Sequence, residues 1–216
     1  MMYKFSAESL TSTILLIAVC LLLSSCLGGG SNSVVKYYLV DPVHVEMDKI
    51  DTDKRLAVEL IDLHIPQYLQ RFQLVTRKDD NRLRFSDNNQ WAENLRKNLL
   101  RTLATNLATR LSTIDIGTPL NRSATLPDYR VQVHIGQFEL DRYGKVQHSG
   151  RWQITGGEEE DIGMYHTSLE SDAGMEPGDY DQIVADMQRL FAELCDQIAA
   201  SIKTIEANKT PNENTP

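Results

Sequence analysis

Ten consecutive apolar residues, ILLIAVCLLL (14–23), run into Ser24, Ser25 and Cys26 and then into three glycines. A helix that crosses a bilayer needs about 20 such residues, so this run is too short and fits the apolar core of a secretion signal. Small residues at 24 and 25, with Leu23 ahead of them, form a bacterial lipobox. In that pattern the sulfur of Cys26 is acylated, the leader is cut away and Cys26 becomes the first residue. The charged start is weak, because Lys4 is offset by Glu8. The competing reading is an ordinary cleaved leader with a chance cysteine, but lipobox and run length agree on lipidation. The expected organisation is a lipoprotein-type signal peptide over 1–25, a lipidated flexible tether over 26–33, one folded domain over 34–207 and a disordered tail over 208–216.

Each buried methylene of an acyl chain contributes about 0.8 kcal/mol, and stable anchoring takes more than one chain. A lipoprotein cysteine carries several, palmitate among them, so the anchor is effectively permanent. Leu27 rather than Asp follows the cysteine. By the enterobacterial sorting pattern this points to the periplasmic face of the outer membrane of a Gram-negative bacterium. At roughly 3.5 Å per residue the tether over 27–33 reaches about 25 Å, which keeps the body near the membrane. Gly28, Gly29 and Gly30 make a leash rather than a phosphate loop, since no strand precedes them and no Lys-Ser/Thr follows.

Cleavage leaves 191 residues, enough for one domain with a real core. The net charge of −8 disfavours nucleic acid and any surface that depends on anionic headgroups for attraction. Of the three cysteines, only Cys195 remains in the body unmodified, so no disulfide is expected despite an oxidising compartment. Its helical setting between Phe191 and Ile198 reads as a small buried hydrophobe.

Extended segments come first: VVKYYLVDP, stopped by Asp41-Pro42, then RLAVELIDLHIP, in which Leu56, Val58 and Leu60 alternate against Ala57, Glu59 and Ile61. FQLVTRK and NRLRFSD flank Asp79-Asp80-Asn81 as a hairpin. Asp87 and Gln90 resemble a capping box, which predicts a helix over 88–112 with Trp91, Leu95, Leu99, Leu103, Leu107 and Leu111 as its apolar row. That row drifts about 40° per step, and Leu100, Ala104 and Ala108 widen it. The surplus either fills the core or covers a neighbouring subunit. In YRVQVHIGQFELDR the apolar phase flips from Tyr129, Val131, Val133 and Ile135 to Phe138 and Leu140, predicting a bulge at Gly136-Gln137. A turn at DRYGK returns the chain through Val146, Trp152 and Ile154, and a third strand, IGMYHTSLES, follows. Asp179 and Gln182 open a last helix whose stripe is Ile183, Met187, Leu190, Leu194, Ile198, Ile202 and Ile205. The fold class is therefore α/β (α+β): a single domain with a mixed, largely antiparallel sheet packed with two long helices.

Catalytic patterns are missing. None of His44, His64, His134, His148 and His166 pairs with another at metal-ligand spacing, and neither H-E-x-x-H, C-x-x-C nor G-x-S-x-G occurs. His134, His148 and His166 fall on three successive strands and could meet across a sheet, although ordinary strand histidines are the simpler reading. The run from Glu158 to Asp161 lacks the ligand alternation of a calcium loop and reads as a solvated acidic loop. Trp91 and Trp152 read as core or interface anchors. No catalytic, cofactor-binding or metal residue is assigned; Cys26, as the lipidation site, is the one functional position.

The ordered segments Cys26, YYLVDP (37–42), IDLHIPQYLQRFQLVTR (61–77), WAENLRKNLLRTLATNL (91–107), VQVHIGQFELDRYGKVQHSGRW (131–152) and LFAELCDQIAASI (190–202) resemble the ABC-type transport auxiliary lipoprotein family, the PqiC/YmbA-like membrane-integrity lipoproteins. The resemblance spans nearly the whole mature chain. It implies an α/β domain tethered to the outer membrane and partnership with an MCE-domain protein that carries phospholipid between membranes. It carries over no catalytic residue, so the chain is expected not to be an enzyme. A ring or other homo-oligomer would suit a tunnel-shaped partner. The alternative is a stand-alone periplasmic lipoprotein that binds lipid or a small molecule between sheet and helices.

Overall fold

Long-range order starts from a hairpin of two long strands, β6 (Tyr129–Leu140) and β7 (Val146–Gly156), extended by β8 (Asp161–Glu170). The computed structural model describes residues 34–43, 56–123, 125–156, 161–172, 174 and 178–209; beyond Val34 they lie in one compact unit, 35–216. The β6–β7 turn closes because Asp141 accepts from the Tyr143 and Lys145 amides at 2.8 and 2.9 Å, and Gly144 takes φ +79°, a left-handed conformation that glycine adopts without strain. The expected bulge is present: pairing slips between Ile135 and Gln137. Gly136 sits there, where a Cβ would stand 2.9 Å from Ser149 Oγ and push that hydroxyl aside. Val131, Val133 and Ile135 before the bulge, and Phe138 and Leu140 after it, all remain buried.

The other edge of β6 serves two strands. Its first half pairs in parallel with β2 (Val58–His64), and its end meets β3 (Gln73–Arg77) through Thr76 and Leu140. A 3-10 turn, Gln67–Gln70, carries the chain from β2 to β3. Beyond β3 lie β4 (Leu83–Trp91), antiparallel, and β1 (Lys36–Tyr38), parallel to β4; β5 (Ile116–Gly117) flanks β2. The longest pairings, β6–β7 and β7–β8, are antiparallel, so the mixed sheet with two helices matches the class expected from sequence. Ile61 faces outward, opposite Leu60, as the alternation expects, and a bulge between Leu60 and Asp62, which the alternation alone does not predict, moves the buried phase to Leu63 and Ile65.

Helix α1 (Leu95–Arg110) begins seven residues later than the predicted start at 88. Residues 89–91 instead continue β4, because β1 pairs with Asn89, Gln90 and Trp91 on one side while the Trp91 amide donates to the Phe72 carbonyl on the other. Backbone partners on both edges override the Asp87/Gln90 signal, and Asn94 caps the helix by accepting from the Lys97 amide at 3.2 Å. Trp91 is still buried, but from a strand. Leu100 is buried and Ala104 packs on the core, so the surplus apolar face of α1 is spent inside the domain.

A polar row on α1 escaped the apolar reading. Asn98, Thr102 and Asn106, four apart, are fully buried. Asn98 accepts from the Val40 amide at 2.8 Å and donates to the Val40 carbonyl at 3.1 Å, Thr102 donates to that carbonyl at 2.6 Å, and Asn106 reaches Cys195 Sγ at 3.6 Å. Asn98 and Thr102 thus supply hydrogen bonds to the segment after β1, which has left the sheet, while Asn106 bonds Cys195.

Helix α2 (Tyr180–Lys209) starts as expected, with Asp179 accepting from the Gln182 amide at 3.2 Å. Its predicted stripe is buried from Ile183 to Ile202, with Ile205 half-buried. It runs on through Asn208 and Lys209, two residues into the predicted tail; 210–216 lie outside the described residues. Both helices cover one face of the sheet.

Where β2 and β3 part along β6, Glu139 fills the fork. Its fully buried carboxylate accepts from Arg77 Nε at 2.8 Å, Tyr68 Oη at 2.9 Å and the Phe138 amide at 2.9 Å. Burial and the Glu139 charge raise the Tyr68 phenol well above its ordinary range. Removing one partner of a buried ion pair leaves an uncompensated charge and costs about 3 kcal/mol or more. Arg77→Met should therefore lower stability by about that much in urea unfolding, and Glu139→Gln in the same chain should restore a large part. A loss below about 0.5 kcal/mol for Arg77→Met would show that the fork does not depend on this pair.

Candidate functional site

The helix-free face of the sheet is polar and open, and register fixes what it displays. His64 on β2 lies opposite His134 on β6, His134 opposite Arg151 on β7, and Arg151 opposite His166 on β8. Three histidines and one arginine thus form a single row across four strands, with neighbouring strands about 4.8 Å apart. The rings of His64 and His134 stack with centroids 4.3 Å apart. Burial, then the neighbouring His64 and the Arg151 guanidinium, push the His134 imidazole below its usual value, with Asp62 opposing. Asp62 is itself held by Arg96, which also donates to the Leu63 carbonyl at 2.8 Å. Arg151 is exposed and forms no ion pair among the described residues.

Two shallow hollows flank Arg151. One, of about 370 Å³, is lined by His134, Gly136, Ser149, Arg151, His166 and Thr167. The other, of about 250 Å³, adds Gln132, Gln153 and the exposed Met164. No carboxylate lines either. A third hollow, about 480 Å³, sits by the β3–β4 hairpin and carries Arg77, Lys78, Arg84 and Arg142. There Arg77 is committed to Glu139 and Arg142 to Asp80 at 2.9 Å, and Asp141 contributes a carboxylate.

Of the histidines expected on three successive strands, His134 and His166 share the row, while His148 points to the helices on the opposite face. His64, which sequence left alone, joins the row through the parallel β2–β6 pairing. Cys26, His44 and Glu158 to Glu160 lie outside the described residues. Among the described residues no group of three or more His, Cys, Asp or Glu side chains could hold a metal ion. Trp152 packs on Tyr165 with ring centroids 5.5 Å apart, an anchor inside the sheet.

Residues 37–199 match the model of a family described as the ABC-type transport auxiliary lipoprotein component. Among solved structures, the chain resembles a protein from Xanthomonas campestris at 11% identity and a TM-score of 0.64, covering 82% of this chain and 100% of that one. It also resembles the crystal structure of an uncharacterised protein at 21% identity and a TM-score of 0.58, covering 78% of this chain and 99% of that one. At these identities the two structures establish the shared fold. No curated protein matches the chain significantly.

The core face carries two titratable groups with no surface role. Cys195 is fully buried, and burial pushes its thiol up to about 12, which leaves it inert, as the sequence suggests. His148 is 1% exposed, set edge-on to Phe138 at 5.2 Å, and neither ring nitrogen reaches a partner in another residue. Burial depresses its imidazole from 6.5 to about 4. The folded state then binds fewer protons than the unfolded state between these values, so stability rises with pH across that window and falls on acidification. The loss from pH 6.5 to pH 4 is on the order of 3 kcal/mol. His148→Leu should flatten that slope in unfolding measured at pH 4.5, 5.5 and 7; an unchanged slope would assign acid sensitivity to other groups.

Proposed function

The chain belongs to the ABC-type transport auxiliary lipoprotein family, and from that premise we propose that it is a non-enzymatic lipoprotein anchored to the outer membrane through Cys26. There it docks an MCE-domain partner that passes phospholipid between membranes, and so supports envelope integrity. The observation that carries this reading is the family match over residues 37–199, which takes in almost the whole folded body and begins eleven positions after the lipobox cysteine. No helix among the described residues is long and apolar enough to cross a membrane, in keeping with a lipid as the attachment.

The interior supports docking over carriage. The space between sheet and helices is filled by Leu99, Leu103, Leu107, Phe138, Phe191 and Ile198, all fully buried in one cluster. An acyl chain would have to displace packed side chains at interior density. Contact surface is available outside instead. The segment joining α1 to β6 exposes Ile114, Leu120 and Leu126, apolar side chains that a partner could cover. A homo-oligomer that arrays several copies around one partner is compatible with the same surface.

Cross-linking of intact envelopes, followed by purification and mass spectrometry of protein and lipid, tests the reading. The wild-type chain should fractionate with the outer membrane, carry an acylated Cys26 and recover an MCE-domain protein. Cys26→Ala should remove both the acyl mass and the membrane fractionation. Recovery of lipid without any protein partner would replace docking by independent carriage, and an unacylated wild-type Cys26 would overturn the anchor.

A further inference from the structure

We propose that the hollow between His134, Arg151 and His166 on the open sheet face is a binding site for a compact tetrahedral oxyanion, the phosphate group of a small ligand. The inference stands on the geometry of this face and does not depend on the transport reading. Register places the guanidinium of Arg151 between the two imidazoles, one on each neighbouring strand. The hydroxyl of Ser149 lines the same hollow, and Gly136 keeps it open at the bulge. Every side-chain group that lines it can donate a hydrogen bond, and no carboxylate competes. That combination suits an oxygen-rich anion and repels a cation. At about 370 Å³ the hollow is shallow and fits one such group rather than a long polymer. The net charge of −8 holds extended polyanions away, so the attraction is local to this row.

Arg151 supplies the fixed charge, and His134 makes the site responsive to protons. The charged and titratable groups facing His134 are His64 and Asp62 from β2, Arg151 from β7 and, one strand farther, His166 from β8. On its own strand Arg130 is paired with Glu59 at 3.4 Å, and Asp62 is paired with Arg96. Glu170, at the far end of β8, is held by Lys145 at 2.6 Å. Burial and the positive charge beside it thus bias His134 toward its neutral form. A bound dianion reverses the effect of that charge and favours the imidazolium. Anion binding and proton uptake are linked, and each strengthens the other by the same factor.

The test uses the full chain, purified without a histidine tag, and titrates it with sulfate, whose charge is constant between pH 5.5 and 8. Calorimetry should show affinity at pH 5.5 at least fivefold above that at pH 8. The His134 and His166 imidazole resonances should shift on binding, and the His134 titration should move upward. Arg151→Gln should weaken binding at least tenfold; His134→Gln should remove most of the pH dependence; Lys78→Gln, in the separate hollow by the β3–β4 hairpin, should change nothing. Inorganic phosphate and monomeric dihexanoyl phosphatidylglycerol then separate the two sources of the group. Binding of both identifies a lipid headgroup, and binding of inorganic phosphate alone identifies a free ion. Sulfate affinity that ignores Arg151→Gln, or that is equal at pH 5.5 and 8, would overturn the proposal.

Discussion

Everything in this domain is arranged around one edge of β6. A twelve-residue strand pairs along its whole length with β7 on one side, but on the other side it must accept two shorter parallel strands end to end. Between His134, where β2 stops, and Leu140, where β3 arrives, its backbone has no strand beside it. An unpaired stretch inside a domain is unstable unless its polar groups are met. The bulge at Gly136 and the Glu139 carboxylate solve this together. The bulge shifts the alternation so that Phe138 faces the helices, and Glu139 ties β6 to Tyr68 of the 3-10 turn and Arg77 of β3. Burying a charge there is costly, and its use is positional: it fixes where the second parallel strand joins.

A second dependence runs through the N-terminal strap. Three residues of β1 hold the chain to β4, after which Val40 leaves the sheet and is held by Asn98 and Thr102 of α1. Lys36 and Tyr38 also bond Asp181 at the start of α2, each at 2.8 Å. Polar side chains in the middle of a packed helix are unfavourable unless they find partners, and here the partner is backbone that would otherwise be orphaned. For a chain pulled from its N-terminus by a lipid, this strap is where tension would enter the fold. Sheet pairing, buried side-chain bonds and contacts to the last helix all converge on it.

What could be read from the sequence, and what could not, follows how far each feature reaches along the chain. The stripe of α2, its Asp179 cap, the β6–β7 turn and the bulge are local patterns of period, parity and turn chemistry, and they are legible. The start of α1 is not, because the fate of residues 89–91 is decided by β1, fifty residues away, and by Phe72. The polar row Asn98, Thr102 and Asn106 hides inside an apolar helix face until its partner is known. The histidine row needs a parallel pairing of β2 with β6 across seventy residues. His148 is a different case. Its even-numbered position places it with Val146, Trp152 and Ile154 on the buried face, so parity alone separates it from His134 and His166.

That separation gives one residue type two opposite tasks on two faces of a single sheet. Inward, His148 is sealed among Phe138 and Phe191, where an imidazolium has neither water nor an acceptor, so protonation opposes folding. Outward, His134 stands beside Arg151 in a row that meets solvent, and burial together with the neighbouring cations lowers its imidazole as well. Acidification therefore loosens the core at His148, while at His134 on the open face it adds a charge that a bound anion can answer. The two effects are separable because the pleat sends alternate residues to opposite faces. A slip of one residue in β7 would exchange them, bringing Arg151 into the core and His148 to the surface. The register of β6 with β7, pinned by the turn at Gly144 and the bulge at Gly136, is thus what keeps fold stability and surface chemistry on separate faces.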